Sequence, residues 1–187
     1  MKLSKKVSTI FGGVNRTEKK KRHTSNDNVL VYNVLTRTSI NTGFVNKNEL
    51  IEDDSLMNID NKYLTKENDI VISSKEPFNV VLIGSEDENI LVDNNFVILR
   101  NSEINVTFLY NYLKLMGKKM KSLSGQNLTK TEIEDVEIPD SFDEKKIEKI
   151  AKITKRLNNR QKGYGTLLDN DEELIKLIFE KESRNYE

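Results

Sequence analysis

Three apolar runs of strand length, NDIVISS (residues 68–74), FNVVLIG (78–84) and NNFVILR (94–100), are each bounded by Pro, Gly, Asn, Asp or Ser. Together they predict a sheet of short strands. Ahead of them NVLVYNVLTRT (28–38) is rich in β-branched and aromatic residues and predicts another buried or half-buried strand, closed by the turn chemistry of SINTG. Between residues 44 and 66 the pattern is weak and predicts loops with short strands. At the N-terminus Leu3, Val7, Ile10 and Phe11 stand at roughly helical spacing, which predicts a short opening helix stopped by Gly12-Gly13. The polar stretch NRTEKKKRHTSNDN reads as an exposed loop with a basic run from Lys19 to Arg22.

After the third run the period changes. Phe108, Tyr112, Met116 and Met120 recur every four residues beside Leu109, Leu113 and Leu123, predicting a helix over 107–123 that packs one face on the sheet. Thr129 with Glu132 fits a capping box, and Glu137-Ile138-Pro139-Asp140 reads as the end of the sheet domain. Ser141 with Glu144 fits a second capping box. It is followed by Ile147, Ile150, Ala151, Thr154 and Leu157 at three-and-four spacing, a narrow apolar seam amid charges that suits helix pairing. The amphipathic helix predicted over residues 141–159 runs about five turns, roughly 28 Å at ~1.5 Å per residue. Gly163-Tyr164-Gly165 is expected to break it, and Asp169 to start a further helix carrying Leu174, Leu177 and Ile178. The expected fold is α+β: a twisted, short-stranded sheet domain with packed helices over 1–140, then a coiled-coil-like helical tail over 141–187.

Composition narrows the chemistry. The 187 residues suffice for one domain with a small appendage, and 36% hydrophobic against 32% charged residues points to a folded chain with a very polar surface. Thirty basic and thirty acidic residues cancel, so any grip on nucleic acid must be local or shared with a partner. No cysteine and a lone histidine, His23, leave nothing for disulfides, thiolate zinc sites or histidine-based triads. Pro77 and Pro139 stand far apart, so the paired-proline loop of amino-methyltransferases is missing, and no glycine-rich phosphate loop follows a strand. Glu86-Asp87-Glu88 reads as an acidic turn between strands rather than a metal cluster. No metal, cofactor or catalytic residue is expected. With no signal-peptide core and no run long enough to span a bilayer, the expected setting is the cytoplasm, free of membranes.

The order of segments carries a resemblance. KLSKKVSTIFGG, YLTKENDIVISS, NNFVILRNSEINVTFLYNYLKL, SLSGQNLTKTEIEDVEIPD and SFDEKKIEKIAKI succeed one another in the pattern of a target-recognition domain. From residue 2 to about residue 153 the chain resembles one such domain of the DNA specificity subunit of type I restriction-modification systems. Where that family commonly has Pro-Leu-Pro then Glu-Gln, this chain has Pro139-Asp140-Ser141-Phe142 then Glu144-Lys145, and it holds one recognition domain where complete members hold two.

The resemblance implies a non-catalytic subunit that reads one half of an interrupted duplex target, while its helix docks a DNA adenine methyltransferase, with or without a restriction subunit. For a half-length subunit it leaves two forms: a homodimer that pairs through Ile147, Ile150, Ala151, Thr154 and Leu157 to see a symmetric target, or a methyltransferase-bound half. The same helix face could instead fold back on its own domain or on Leu174 and Ile178. Base readout needs donors and acceptors on loops, and phosphate contacts need Lys, Arg or small hydroxyls. The candidates for bases are Arg37, Ser39, Asn41, Gln126 and Asn127. Those for phosphates are Ser73, Ser74, Lys75, Lys130 and the run from Lys19 to Arg22. Competing classes are an orphan DNA-binding regulator, a protein-binding adaptor using the helical tail, and a nuclease relying on Asp87.

Overall fold

The computed structural model describes residues 1–20, 30–40, 43–117, 127–139, 143–157, 159–160 and 163–164. The strands among them are β1 Val7–Gly12, β2 Tyr32–Val34, β3 Ile51–Asp53, β4 Ile70–Ser73, β5 Val80–Leu82 and β6 Phe96–Ser102. The helices are α1 Arg16–Lys19, α2 Val106–Gly117 and α3 Lys130–Glu134, interspersed with short 3-10 turns.

The three apolar runs become β4, β5 and β6, the heart of an antiparallel sheet in the order β1-β6-β4-β5. All four residues of β4 are buried because both faces of the sheet are covered. On one face Ile70, Ile72, Val80, Val97 and Leu99 pack with Leu109, Tyr110 and Leu113 of α2 and with Leu3, Ile133 and Ile138. On the other, Val71, Val81, Phe96 and Ile98 meet Leu35, Ile40, Val45, Ile90 and Val92 from the loops. A smaller cluster of Val14, Val34, Leu56 and Leu91 lies by the separate β2–β3 ribbon.

The opening helix is not formed. Residues Leu3–Lys5 make one 3-10 turn, and Val7 onward is strand β1, paired with β6 from Val7↔Ser102 to Gly12↔Val97. Pairing with β6 satisfies backbone groups over the whole segment, and this tertiary gain overrides a weak helical period. The strand expected over 28–38 is confined to Tyr32–Val34 within the described residues. In α2 the buried face is Leu109, Tyr110 and Leu113, whereas Phe108, Tyr112 and Met116 of the four-residue stripe lie half-buried at its rim. Met120 and Leu123 fall outside the described residues. The capping box of α3 is present: the Glu132 amide donates to Thr129 Oγ1 at 3.2 Å and the Thr129 amide to Glu132 Oε2 at 2.6 Å.

Two devices hold distant segments together. The Leu3 amide donates to the Val136 carbonyl and the Ile138 amide to the Met1 carbonyl, both at 2.8 Å, so the first residues are laced to the last of the sheet body. Arg16 of α1 sits between Asp53, 3.2 Å from Nη1, and Asp93, 3.3 Å from Nε, both carboxylates being nearly buried. Burial pushes the Asp53 carboxyl up, but hydrogen bonds from Ser55 and the cations of Lys20 and Arg16 outweigh it and hold the pKa below the usual value. A depressed carboxylate contributes stability that is complete above the ordinary aspartate pKa of about 3.9 and is lost as pH falls through the lower folded value. Asp53→Asn is therefore expected to flatten the acid limb of thermal stability scanned from about pH 6 to about pH 2. A limb as steep as that of the unsubstituted chain would refute this.

The chain divides into two compact units, Met1–Ile147 and Glu148–Glu187. A helix covers residues 144–157. Its cap is Asp143, whose Oδ1 accepts from the amides of Lys145 at 2.9 Å and Lys146 at 3.4 Å, in place of the expected Ser141, which lies outside the described residues. Ile147, Ile150 and Ala151 are half-buried, Leu157 is exposed, and Thr154 is buried with its hydroxyl donating to the Ile150 carbonyl at 2.9 Å. Residues 159–160 and 163–164 are helical too, so the expected break does not fall on Gly163 or Tyr164. The further helix with Leu174, Leu177 and Ile178 lies outside the described residues.

Candidate nucleic-acid interface

The connection between β4 and β5 gathers several candidate residues at one edge of the sheet body. Arg37 reaches it from the turn after β2, its guanidinium donating to the Glu76 carbonyl. From the other side the Leu128 amide donates to the Ser74 carbonyl at 2.6 Å, which brings Asn127 alongside. Arg37, Lys75 and Asn127 are all exposed, so this edge carries the guanidinium donors that Arg37 does not spend on the Glu76 carbonyl, one point charge and one side-chain amide.

The serines are placed otherwise than expected. Ser39 and Ser73 have no accessible surface. The Ser39 hydroxyl donates to the Thr36 carbonyl at 2.8 Å, and the Ser73 hydroxyl to the Lys75 carbonyl at 2.9 Å. Ser74 is buried and its hydroxyl donates to the Asn95 carbonyl at 2.6 Å. These hydroxyls lock the loops that carry Arg37 and Lys75, and a buried, engaged hydroxyl cannot also take a phosphate oxygen. Asn41, Gln126, Lys21, Arg22 and His23 lie outside the described residues. Lys19 is half-buried and Lys20 is exposed.

Lys130 stands at a groove whose lining holds none of the edge residues. The groove, of about 540 Å³, is lined also by Thr9, Phe11 and Gly12 of β1, Lys62 and Tyr63 of a 3-10 turn, and Arg100 of β6. The register Thr9↔Arg100 brings the two strands' contributions together. Arg100 Nε and Nη2 hold the two oxygens of Asp69 at 2.8 and 2.6 Å, while Nη2 also donates to the Leu64 carbonyl at 2.9 Å and Nη1 to that of Lys62 at 3.3 Å. The 61–63 turn is thereby fixed against β6. The Lys62 ammonium stands 4.8 Å over the Tyr63 ring, and the Arg100 guanidinium 5.5 Å from the centre of Phe11. The neighbouring Tyr63 and Asp60 raise the Lys62 pKa above its ordinary value.

Sequence reasoning missed Phe11, Lys62, Tyr63 and Arg100. Beyond Lys130, which the sequence did suggest, the adjacent Lys62-Tyr63 pair is the trace a linear reading offers, because Thr9 and Arg100 meet only through strand register. Asp87, on which a nuclease reading depended, is buried in the 3-10 turn Ser85–Asp87, where its carbonyl accepts from Thr65 Oγ1 at 2.6 Å. Among the described residues no cluster of His, Cys, Asp or Glu could hold a metal ion, and no helix is long and apolar enough to cross a membrane.

Comparison with known proteins agrees on one family. Two solved structures share the fold at 13% sequence identity. One is a chain of a type I R-M system described in work on complex assembly and conformational transition, with a TM-score of 0.56 over 85% of this chain. The other is the HsdS subunit from Thermoanaerobacter tengcongensis, with a TM-score of 0.51 over 82%. This chain spans 38% and 43% of their respective lengths. No curated protein matches it. The family profile described as "Type I restriction modification DNA specificity domain" matches residues 6–163, from β1 through the sheet body and into the helical segment. With most of its length matched in this way, the chain belongs to the type I restriction modification DNA specificity domain family.

Proposed function

We propose that the chain is a non-catalytic DNA-recognition unit of a type I-like restriction-modification system. In this reading the body over 1–140 reads one half-site of duplex DNA, and the segment over 141–187 pairs with a second copy and docks a DNA adenine methyltransferase. The observation that carries it is the family match across residues 6–163. The exposed edge of Arg37, Lys75 and Asn127 supports it chemically. An arginine fork and an amide are the groups that distinguish bases in the major groove, where each good bidentate contact discriminates by about 1–3 kcal/mol. Zero formal charge supports the shared mode of binding, since few net cations give a small counterion-release contribution. The assembly is expected in the cytoplasm, where such DNA lies.

Selection from a random duplex library tests the reading, with the protein alone and with its methyltransferase recovered by pull-down. A fixed half-site is expected to be enriched, as a twofold repeat if the chain dimerises. Arg37→Ala is expected to relax one position of that site, with a loss of about fivefold to a hundredfold in affinity. Enrichment by the protein alone, with no methyltransferase recovered, would favour an orphan regulator. No enrichment in either arm would sink the proposal. Light scattering that found only monomer, alone and in the complex, would remove the dimer.

A further inference from the structure

The groove between β1, β6, the 61–63 turn and α3 shares no lining residue with the edge of Arg37, Lys75 and Asn127, although Lys130 follows Asn127 by three positions in the chain. Its lining holds three cations and no carboxylate, in a chain whose formal charge is zero. One cation is committed: the Arg100 side chain is 13% exposed and chelates the buried Asp69. The other two are available. Lys62 and Lys130 side chains are 54% and 53% exposed, and their carboxylate neighbours, Asp60 and Glu134, stand at 3.4 and 3.3 Å. Exposed pairs of this kind hold their ammonium groups weakly, so both can turn to a better-placed anion. Phe11 and Tyr63 supply apolar ring surface beside those charges, which strengthens their attraction for an anion that enters.

The same chemistry says what the groove cannot do. Lysine ammonium groups are point charges on flexible stems and carry no fork able to tell one base from another. The one fork present, on Arg100, already serves Asp69 and the Leu64 carbonyl. Such a surface grips without reading. We propose that this groove seats phosphodiester oxygens of a nucleic-acid backbone on Lys62 and Lys130, as a sequence-independent anchor for the strand read at the Arg37 edge. The inference rests on the DNA-recognition reading above.

Its test needs no knowledge of the target. The full chain is titrated against a labelled random-sequence duplex of about 30 base pairs by fluorescence anisotropy, between roughly 20 and 150 mM salt. Each phosphate contact contributes about 0.9 to the slope of log affinity against log salt, so Lys62→Gln/Lys130→Gln is expected to flatten it by about 1.8. Its thermal melting should match that of the unsubstituted chain, because both side chains are exposed. Lys5→Gln/Lys66→Gln removes the same charge from outside the groove and is expected to leave the slope nearly intact. Equal flattening by the two pairs, or none by the first, would overturn the proposal.

Inorganic phosphate at the ionic strength of the chloride buffer distinguishes a strand from a free anion. Displacement of the duplex well beyond that by chloride, abolished in Lys62→Gln/Lys130→Gln, would overturn the backbone assignment in favour of a small phosphate ligand. The two readings also fail separately. A site selected from the library with an unchanged slope removes the anchor and leaves the reading edge. A flattened slope with no selected site keeps the anchor and removes the edge.

Discussion

Arg100→Met is expected to cost the fold about 3–5 kcal/mol, the usual result of removing one partner from a buried ion pair. The Asp69 side chain is 1% exposed and receives two guanidinium bonds, at 2.8 and 2.6 Å, as well as the Lys66 amide at 2.9 Å. Without Arg100 its charge stays in the sheet body with a single amide donor. The Leu64 and Lys62 carbonyls lose their partner in the same step. Urea unfolding measures the cost. The joint substitution Asp69→Leu/Arg100→Met is expected to recover much of it, because it leaves no orphaned charge and fills the space with apolar atoms. A single Arg100→Met chain within about 1 kcal/mol of the original would show that the pair is held more loosely than its geometry indicates.

The second large effect is expected at Gly13. A Cβ there would lie 2.0 Å from the Asp93 carbonyl oxygen and 2.5 Å from that of Val92, both main-chain atoms of a segment held in place by its own bonds. The Val14 amide donates to the Val92 carbonyl and the Asn94 amide to the Val14 carbonyl, each at 2.9 Å, so neither chain can retreat without breaking this link. Gly13→Ala is expected to destabilise by about 3 kcal/mol, the upper end of ordinary overpacking. It should also loosen the nearby cluster of Val14, Val34, Leu56 and Leu91. Gly12→Ala is the matched control, since nothing lies within 4 Å of a Cβ there. It is expected to change stability by no more than about 0.5 kcal/mol. Equal tolerance of the two alanines in a thermal melt would refute the close approach.

The sheet was legible where its strands are buried on both faces, because continuous runs such as IVIS and FVIL carry their own boundary signals. The α3 capping box was legible because it is local, three residues apart. β1 was not, since Leu3, Val7 and Ile10 fit a helical period and only the partner strand decides otherwise. At the candidate interface the sequence identified Arg37, Lys75 and Asn127 as exposed loop residues. It could not separate them from Ser39, Ser73 and Ser74, because a hydroxyl that faces a ligand and one that locks a turn look alike in a linear reading. The groove was hidden for another reason: Thr9, Lys62, Arg100 and Lys130 come from four separate segments, Thr9 and Arg100 meeting through strand register and the Lys62 turn being held by Arg100. Asp69 and Arg100, which lie within two of the segments that carry the family resemblance, brace the scaffold through their ion pair.

The lacing of the first residues to the end of the sheet body has a kinetic side. Met1 and Ile138 are bonded across a separation of 137 residues, and β1 pairs with β6 rather than with a neighbour in sequence. Contacts of such long range bear the loop-closure entropy before they return any stability, so refolding is expected to be slower than that of a helical domain of similar size. The β4–β5 pair can form early, from near neighbours. In the sheet the outer edge of β6 is covered only by β1, so loss of the N-terminal segment would expose a strand edge able to pair with another chain.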